Sequence, residues 1–143
     1  YNMQNGYAVL DRTWKKNEMV QVNLPMEVRR VKANKKLKDD IGKVALQRGP
    51  LMYCAEWPDN NGSVSTIVLP AMATFTTKYE PALLNGVVIL ISEINKVEVA
   101  DNKVSTSKQA FAAIPYYAWA NRGKGEMMLW FPEQVKSVDI ISQ

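Results

Sequence analysis

An antiparallel β-sandwich of two sheets is the fold this chain predicts, and three observations predict it. Apolar residues fall two apart at Val20, Val22, Leu24, Met26 and Val28, with Gln21, Asn23 and Glu27 between them. That period belongs to strands with one buried face. Short apolar runs recur at the spacing of an all-β sandwich or barrel, with turn chemistry between most of them. No stretch of about 10 to 12 residues carries an amphipathic helical pattern.

The first strand is expected over residues 7–14, entered from Asn5-Gly6, a pair that holds positive φ at low cost. Lys15-Lys16-Asn17 should then close a tight hairpin between Trp14 and Glu18. Pro25 interrupts the alternating run, so it marks either an edge position or the junction of two strands. Further strands are expected over residues 43–47, 51–56, 66–69, 73–79, 87–91, 96–99, 111–118, 126–131 and 137–141. Asn60-Asn61-Gly62, Asn85-Gly86 and Gly123-Lys124-Gly125 supply turns between them. Strand order is left open by the pattern.

At 143 residues and 47% hydrophobic content, the chain has the length of one domain and enough apolar mass for a core. The longest apolar run, residues 86–92, is strand-sized and far short of the ~18 residues of a membrane-spanning helix, so no membrane partner is expected. Residues 1–6 have neither a basic start nor an apolar middle and do not read as a signal peptide. A first residue other than Met reads as a piece of a longer protein, which leaves the compartment open.

A lone Cys54 and the absence of His leave no internal disulfide and no Cys/His metal cluster, and no cofactor is expected. Cys54 lies mid-strand, where a small buried hydrophobe is the ordinary role. The formal charge of +4 is modest. Arg29, Arg30, Lys32, Lys35, Lys36 and Lys38 do crowd together, yet no aromatic falls between Arg29 and Lys38 for bases to stack on. A solvated strand end and loop is therefore expected there, and no nucleic-acid partner.

Residues 43–56 (Lys-Val-Ala-Leu-Gln-Arg-Gly-Pro-Leu-Met-Tyr-Cys-Ala-Glu) and 113–123 (Ala-Ile-Pro-Tyr-Tyr-Ala-Trp-Ala-Asn-Arg-Gly) carry a family resemblance. Together with residues 6–14 and 20–26, in this order, they resemble blocks near the carboxyl end of β-L-arabinofuranosidase-type enzymes of glycoside hydrolase family 127. The resemblance runs over nearly the whole chain and covers the tail of a much longer protein. It implies a catalytic helical barrel upstream, with cysteines serving as nucleophile and zinc ligands in motifs that Cys54 does not match. It also implies two β-sandwich modules after the barrel. Residues 1–27 then look like the closing hairpin of the first, and residues 28–143 the second. Trp14, Val20, Val22 and Leu24 would have lost their own module, so new partners, a second copy in a homodimer included, are expected for them.

Glycoside hydrolysis normally uses two carboxylates flanking the scissile bond. Glu56, beside Trp57, and Glu126, after the Gly123-Lys124-Gly125 turn, are candidates, yet both read better as strand-end polar residues. With no His to activate Ser or Thr, no nucleophile and base pair is visible, and no catalytic residue is assigned. Tyr116, Tyr117 and Trp119 followed by Asn121 and Arg122 combine flat rings with planar donors, the chemistry of sugar recognition. Strand alternation would place Tyr117 and Trp119 on one face and Tyr116 and Ala118 on the other. Core or interdomain packing is the competing use of these rings and the favoured one. Arg48, before Gly49-Pro50, is expected to brace a strand break.

The leading expectation is a non-catalytic accessory module that braces the parent's barrel, completes a subunit interface, or both. The alternative is a module binding arabinose-containing, plant-type glycans, with Tyr117, Trp119, Asn121 and Arg122 as its site and Trp57 and Trp130 as further rings. A cell-surface adhesion sandwich fits the fold but leaves the family-like blocks unexplained. For the parent, a polysaccharide-degrading role favours a periplasmic or extracellular location.

Overall fold

The computed structural model describes residues 1–101 and 103–138. Its elements are β1 (Asn2–Gln4), β2 (Tyr7–Val9), β3 (Val28–Lys32), β4 (Lys43–Arg48), β5 (Leu51–Glu56), β6 (Ile67–Val68), β7 (Thr76–Glu80), β8 (Val87–Ala100), β9 (Lys103–Pro115), β10 (Met127–Met128) and β11 (Phe131–Pro132). Among the described residues the helical structure consists of short 3-10 turns, at Lys38–Asp40, Trp57–Asp59, Tyr116–Ala118 and Val135–Ser137. All the pairings are antiparallel, so the chain is all-β as its alternation predicts.

One leaf of the sandwich holds β3, β4, β5, β10 and β11, and the other holds β6, β7, β8 and β9. The leaves are not separate sheets. Tyr53 pairs with Pro115 and Cys54 with Ile114, so β5 and β9 form a seam and one sheet curls over onto itself. Val44, Leu46, Tyr53 and Ala55 of the first leaf meet Leu90, Ile94, Phe111 and Ala113 of the second in the main core. Phe111 lies edge-on to Phe131 at 5.4 Å and to Phe75 at 6.2 Å. The buried Tyr53 hydroxyl donates to the Val88 carbonyl oxygen at 2.9 Å, which satisfies the one polar atom its ring carries inward. Because successive side chains alternate, Cys54 and Ile114 face the opposite way. They form a second cluster with Val87, Ile89 and Ala118, against which Leu83, Leu84, Met127 and Leu129 pack.

The turns follow their residues. Asn5 and Gly6 both take positive φ (51° and 84°) between Gln4 and Tyr7, the backbone of a tight type I′ hairpin. Several strands differ from expectation. Those expected over 87–91 and 96–99 are one strand, and 103–110 extends β9, because β8 and β9 pair without a break from Leu90↔Ala113 to Ala100↔Lys103. Ladder hydrogen bonds hold this polar stretch, and its side chains are mostly exposed, so no apolar alternation announces it. The expected strand over 73–79 is β7, shifted to Thr76–Glu80. That over 126–131 is two short bridges, β10 and β11. Ser137 closes a 3-10 turn, and the rest of the strand expected over 137–141 lies outside the described residues.

Residues 10–27 depart furthest from expectation. The strand expected over 7–14 stops at Val9, and 20–27 forms no strand at all. The Lys15-Lys16-Asn17 turn is present, with Glu18 N–H donating to the Lys15 carbonyl oxygen and Asn17 at φ 68°. The Glu18 carboxylate accepts from Arg12 at 2.8 Å. Val22 and Leu24 remain 72% and 75% exposed. Without a neighbouring strand, residues 20–26 have no ladder to complete their backbone hydrogen bonds, and the segment meets the sandwich at its end, where Met26 lies against Gly49 and the Glu27 carbonyl oxygen accepts Gly49 N–H at 3.4 Å.

Candidate functional site

Pro115 has no N–H, so β9 cannot extend its ladder past the Tyr53↔Pro115 pair. Residues Tyr116–Ala118 wind into a 3-10 turn instead of the expected strand, with Trp119 N–H donating to the Tyr116 carbonyl oxygen at 3.1 Å. This overturns the predicted facing. Ala118 points into the second core cluster, while Tyr116 and Trp119 stack on each other at 5.8 Å with 19° between their planes. Both rings are half-exposed and Tyr117 is 65% exposed, so the three aromatics lie at the surface and not in the core. Asn121 donates its amide to the Ala118 and Trp119 carbonyl oxygens, at 3.0 and 3.3 Å, and so fixes the turn.

A partly buried ionic cluster, with Glu56 at its buried end, holds this loop to the sandwich. Arg122 donates from Nε to Glu56 Oε2 at 3.1 Å, and its two terminal nitrogens reach Asp59 Oδ1 and Oδ2 at 2.7 and 2.6 Å. Glu56 Oε1 accepts Ala120 N–H at 3.0 Å, with Ala120 in the left-handed region at φ 67°. Glu56 is the last residue of β5 and is buried, and the Trp57–Asp59 turn, started by Pro58, delivers Asp59 beside it. The guanidinium pKa is raised, first by the hydrogen bond to Asp59 and further by Glu56, against the opposing effect of burial. Beneath the cluster, the buried Asn60 side chain donates to the Glu56 and Ala112 carbonyl oxygens and accepts Ala112 N–H, taking the place of a strand at the edge of β9. Sequence spacing carried no sign of Asp59 or Asn60 in these roles.

Other candidates settle as packing or capping groups. Glu126 accepts from Ser63 Oγ, Val64 N–H and Ser65 N–H, and these donors hold its carboxyl below the usual range, the Val64 bond first. Cys54 is fully buried, and burial, with Glu56 nearby, pushes its thiol up to about 12. Such a thiol is inert as a nucleophile at neutral pH. Trp57 lies against Gly125, where a Cβ would collide with the indole ring. The bracing role expected of Arg48 falls to Arg30 of the basic cluster, which donates to the carbonyl oxygens of Leu69, Pro70 and Ala73 and lies over the Phe75 ring. The Arg48 Nε is buried without a hydrogen-bond partner among the described residues, and the Arg48 charge opposes the rise that burial causes in the Tyr53 hydroxyl pKa. Among the described residues no group of three or more Cys, Asp or Glu is placed to hold a metal ion.

The family model of the glycoside hydrolase family 127 C-terminal domain matches residues 28–132, from the first residue of β3 to the last of β11. The non-reducing end β-L-arabinofuranosidase of Bifidobacterium longum is 29% identical over 142 residues, which cover 90% of this chain and 22% of that protein. A solved family-127 β-arabinofuranosidase superposes with a TM-score of 0.76 and 40% identity, over 80% of this chain and 18% of its own. The family-127 β-L-arabinofuranosidase of Geobacillus stearothermophilus T6 gives 0.71 and 42%, over 77% and 19%. The chain thus spans about a fifth of the length of these relatives. Sequence match and fold agree, and the chain belongs to glycoside hydrolase family 127, of which it carries the C-terminal domain.

Proposed function

We propose that this chain is a non-catalytic accessory module of a β-L-arabinofuranosidase-like hydrolase. In this reading residues 1–27 are the closing hairpin of a preceding sandwich module and residues 28–143 are the last one. The observation that carries the proposal is the exposed apolar row of residues 14–24, in which the Trp14 ring is covered on one face by Arg12. Trp14, Val20, Val22 and Leu24 are all exposed, an arrangement that water penalises and a neighbouring module would relieve. The start of the family model at residue 28 supports the boundary. The state of the acids supports the non-catalytic part. Glu56 and Asp59 share Arg122, and Glu126 is spent on backbone and hydroxyl donors, so all three carboxylates are committed to donors of the chain itself and do not form a free hydrolytic pair. The module's role is then to cover and brace the parent's barrel or a subunit interface.

Two readouts test this. Purified chain incubated with an aryl arabinofuranoside releases no arabinose above background, and turnover would overturn the non-catalytic reading. Mixed with the separately expressed upstream part of the parent, the chain co-elutes with it, and Val22→Asp with Leu24→Asp abolishes the complex. Co-elution unaffected by both substitutions would remove the apolar row from the interface.

A further inference from the structure

A shallow cleft of about 410 Å³ opens between the 83–86 turn and the 116–121 loop, lined by Leu84, Asn85, Tyr117, Ala118 and Asn121. It lies within the size range of small-ligand sites, about 300–1,000 Å³. None of its five lining side chains is charged. Tyr117 brings a largely exposed ring that stacks on no other aromatic among the described residues, Leu84 an apolar flank, and Asn85 and Asn121 two planar amides. Asn121 spends its nitrogen on backbone carbonyls and keeps its oxygen as an acceptor, while the Asn85 amide makes no hydrogen bond within the described residues.

Both walls are built from strained backbone. Leu84 and Asn85 have φ of 50° and 63°, and Ala120 has 67°. For a residue with a Cβ this region costs about 1–2 kcal/mol, and Leu and Ala lack the polar side chain that eases it for Asn. Such strain persists where surrounding structure fixes it, and it concentrates at ligand-contacting sites. Here the surroundings do fix it. Leu83 and Leu84 pack on the second core cluster beside Ala118, and Glu56 and Arg122 pin the far end of the loop. The fold holds an exposed ring and two amides in place at a cost in backbone strain.

We propose that this cleft is a binding site for a neutral, hydroxyl-bearing sugar ring, with Tyr117 as the stacking platform and Asn85 and Asn121 as hydroxyl partners. The lining holds no cation, so the charge of a uronic acid or phosphorylated sugar finds no partner there to repay the hydration it gives up, and the cleft favours neutral sugars. The ring face offers area to sugar C–H groups at little entropic loss, and amides read hydroxyls as both donors and acceptors. Arg122, although adjacent in sequence, takes no part because its donors are committed to Glu56 and Asp59. The site is separate from the apolar row of residues 14–24, so its fate does not depend on the accessory-module reading.

The experiment is a titration of the chain with arabino-oligosaccharides, followed by tryptophan fluorescence and calorimetry, with oligogalacturonates as the charged comparison. Trp119, two residues from Tyr117, serves as the reporter. Saturable binding of the neutral sugar is expected, with little binding of the uronate. Tyr117→Ala should weaken it by about tenfold or more, equivalent to about 1.4 kcal/mol. Asn85→Gly, which keeps the left-handed backbone and removes the amide, should weaken it by about threefold or more. Both variants should keep the parent chain's melting temperature, since Tyr117 is exposed and the glycine suits its φ. No saturable signal at about 50 mM ligand, or an affinity unchanged in both variants, overturns the proposal. Arabinose release in the same samples would count against the accessory-module reading and not against this one.

Discussion

Arg122→Ala isolates what holds the aromatic loop in place. In the native chain its guanidinium is 16% exposed and sits between Glu56, 4% exposed at the side chain, and Asp59, 22% exposed. Deleting it leaves Glu56 as a buried carboxylate whose remaining polar partner is the Ala120 N–H. Removing one member of a buried pair costs about 3–5 kcal/mol, because the survivor's charge stays desolvated. Unfolding a chain of 143 residues carries an entropy of about 0.3 kcal/mol per kelvin, so the melting midpoint should fall by about 10–15 °C. Differential scanning calorimetry at neutral pH reads this directly. Arg122→Lys should recover part of the loss, since it restores a charge without the two-pronged geometry. Glu56→Gln combined with Arg122→Met should recover more, because the amide oxygen still accepts Ala120 N–H and the buried charge is gone. A fall of less than about 3 °C for Arg122→Ala would refute the reasoning, since that is the scale of an exposed pair screened by water.

Three further outcomes follow from separate parts of the fold. Gly125→Ala drives a Cβ into the Trp57 indole and should destabilise by about 1–3 kcal/mol, read by calorimetry and by a shift in tryptophan emission. Glu126→Gln should lower the melting temperature at neutral pH and become silent in acid. The folded carboxyl is held below its ordinary value, so its contribution is present above the unfolded pKa and is lost as pH falls through the depressed folded value. Equal melting differences at pH 7 and pH 3 would contradict that linkage. Deleting residues 1–25, which spares Met26 and Glu27 at Gly49, should leave the cooperative melting of the remainder nearly unchanged, because no strand pairing ties residues 10–25 to the sandwich; a large loss of stability would show those residues to be part of its fold.

The strands that were legible in the sequence are those whose partners lie in the chain and whose inner face is apolar. The expected 51–56 strand is β5 from end to end, and 43–47 differs from β4 by Arg48 alone. Residues 103–110 were not legible, because polar side chains there are carried by the ladder to β8 and not by burial. The reverse error occurs at Val20, Val22 and Leu24. Alternation encodes which face would be buried, but a strand forms only when another strand supplies its hydrogen bonds, and none within the described residues does. The same pattern therefore reads as a strand in sequence and stands as an exposed extended segment in the chain.

At the candidate site the residue types were legible and their arrangement was not. Tyr116, Tyr117, Trp119, Asn121 and Arg122 do gather on one loop, but Pro115 resets the geometry from a period of two to a 3-10 turn. The proline was present in the sequence, and its missing N–H is the signal that strand alternation should not be carried past it. No comparable signal existed for the ion cluster. Glu56 and Asp59 lie 66 and 63 residues before Arg122, brought to it by the β5–β9 seam that strand order alone determines. That seam also assigns the labour among the polar groups. By fixing Arg122 inward it removes the guanidinium from any ligand, and by ending β9 at Pro115 it turns the rings outward. What is left facing solvent is neutral: one open tyrosine ring and two amides across a cleft. The charge-free chemistry of that cleft thus follows from the same paired charges that hold its far wall.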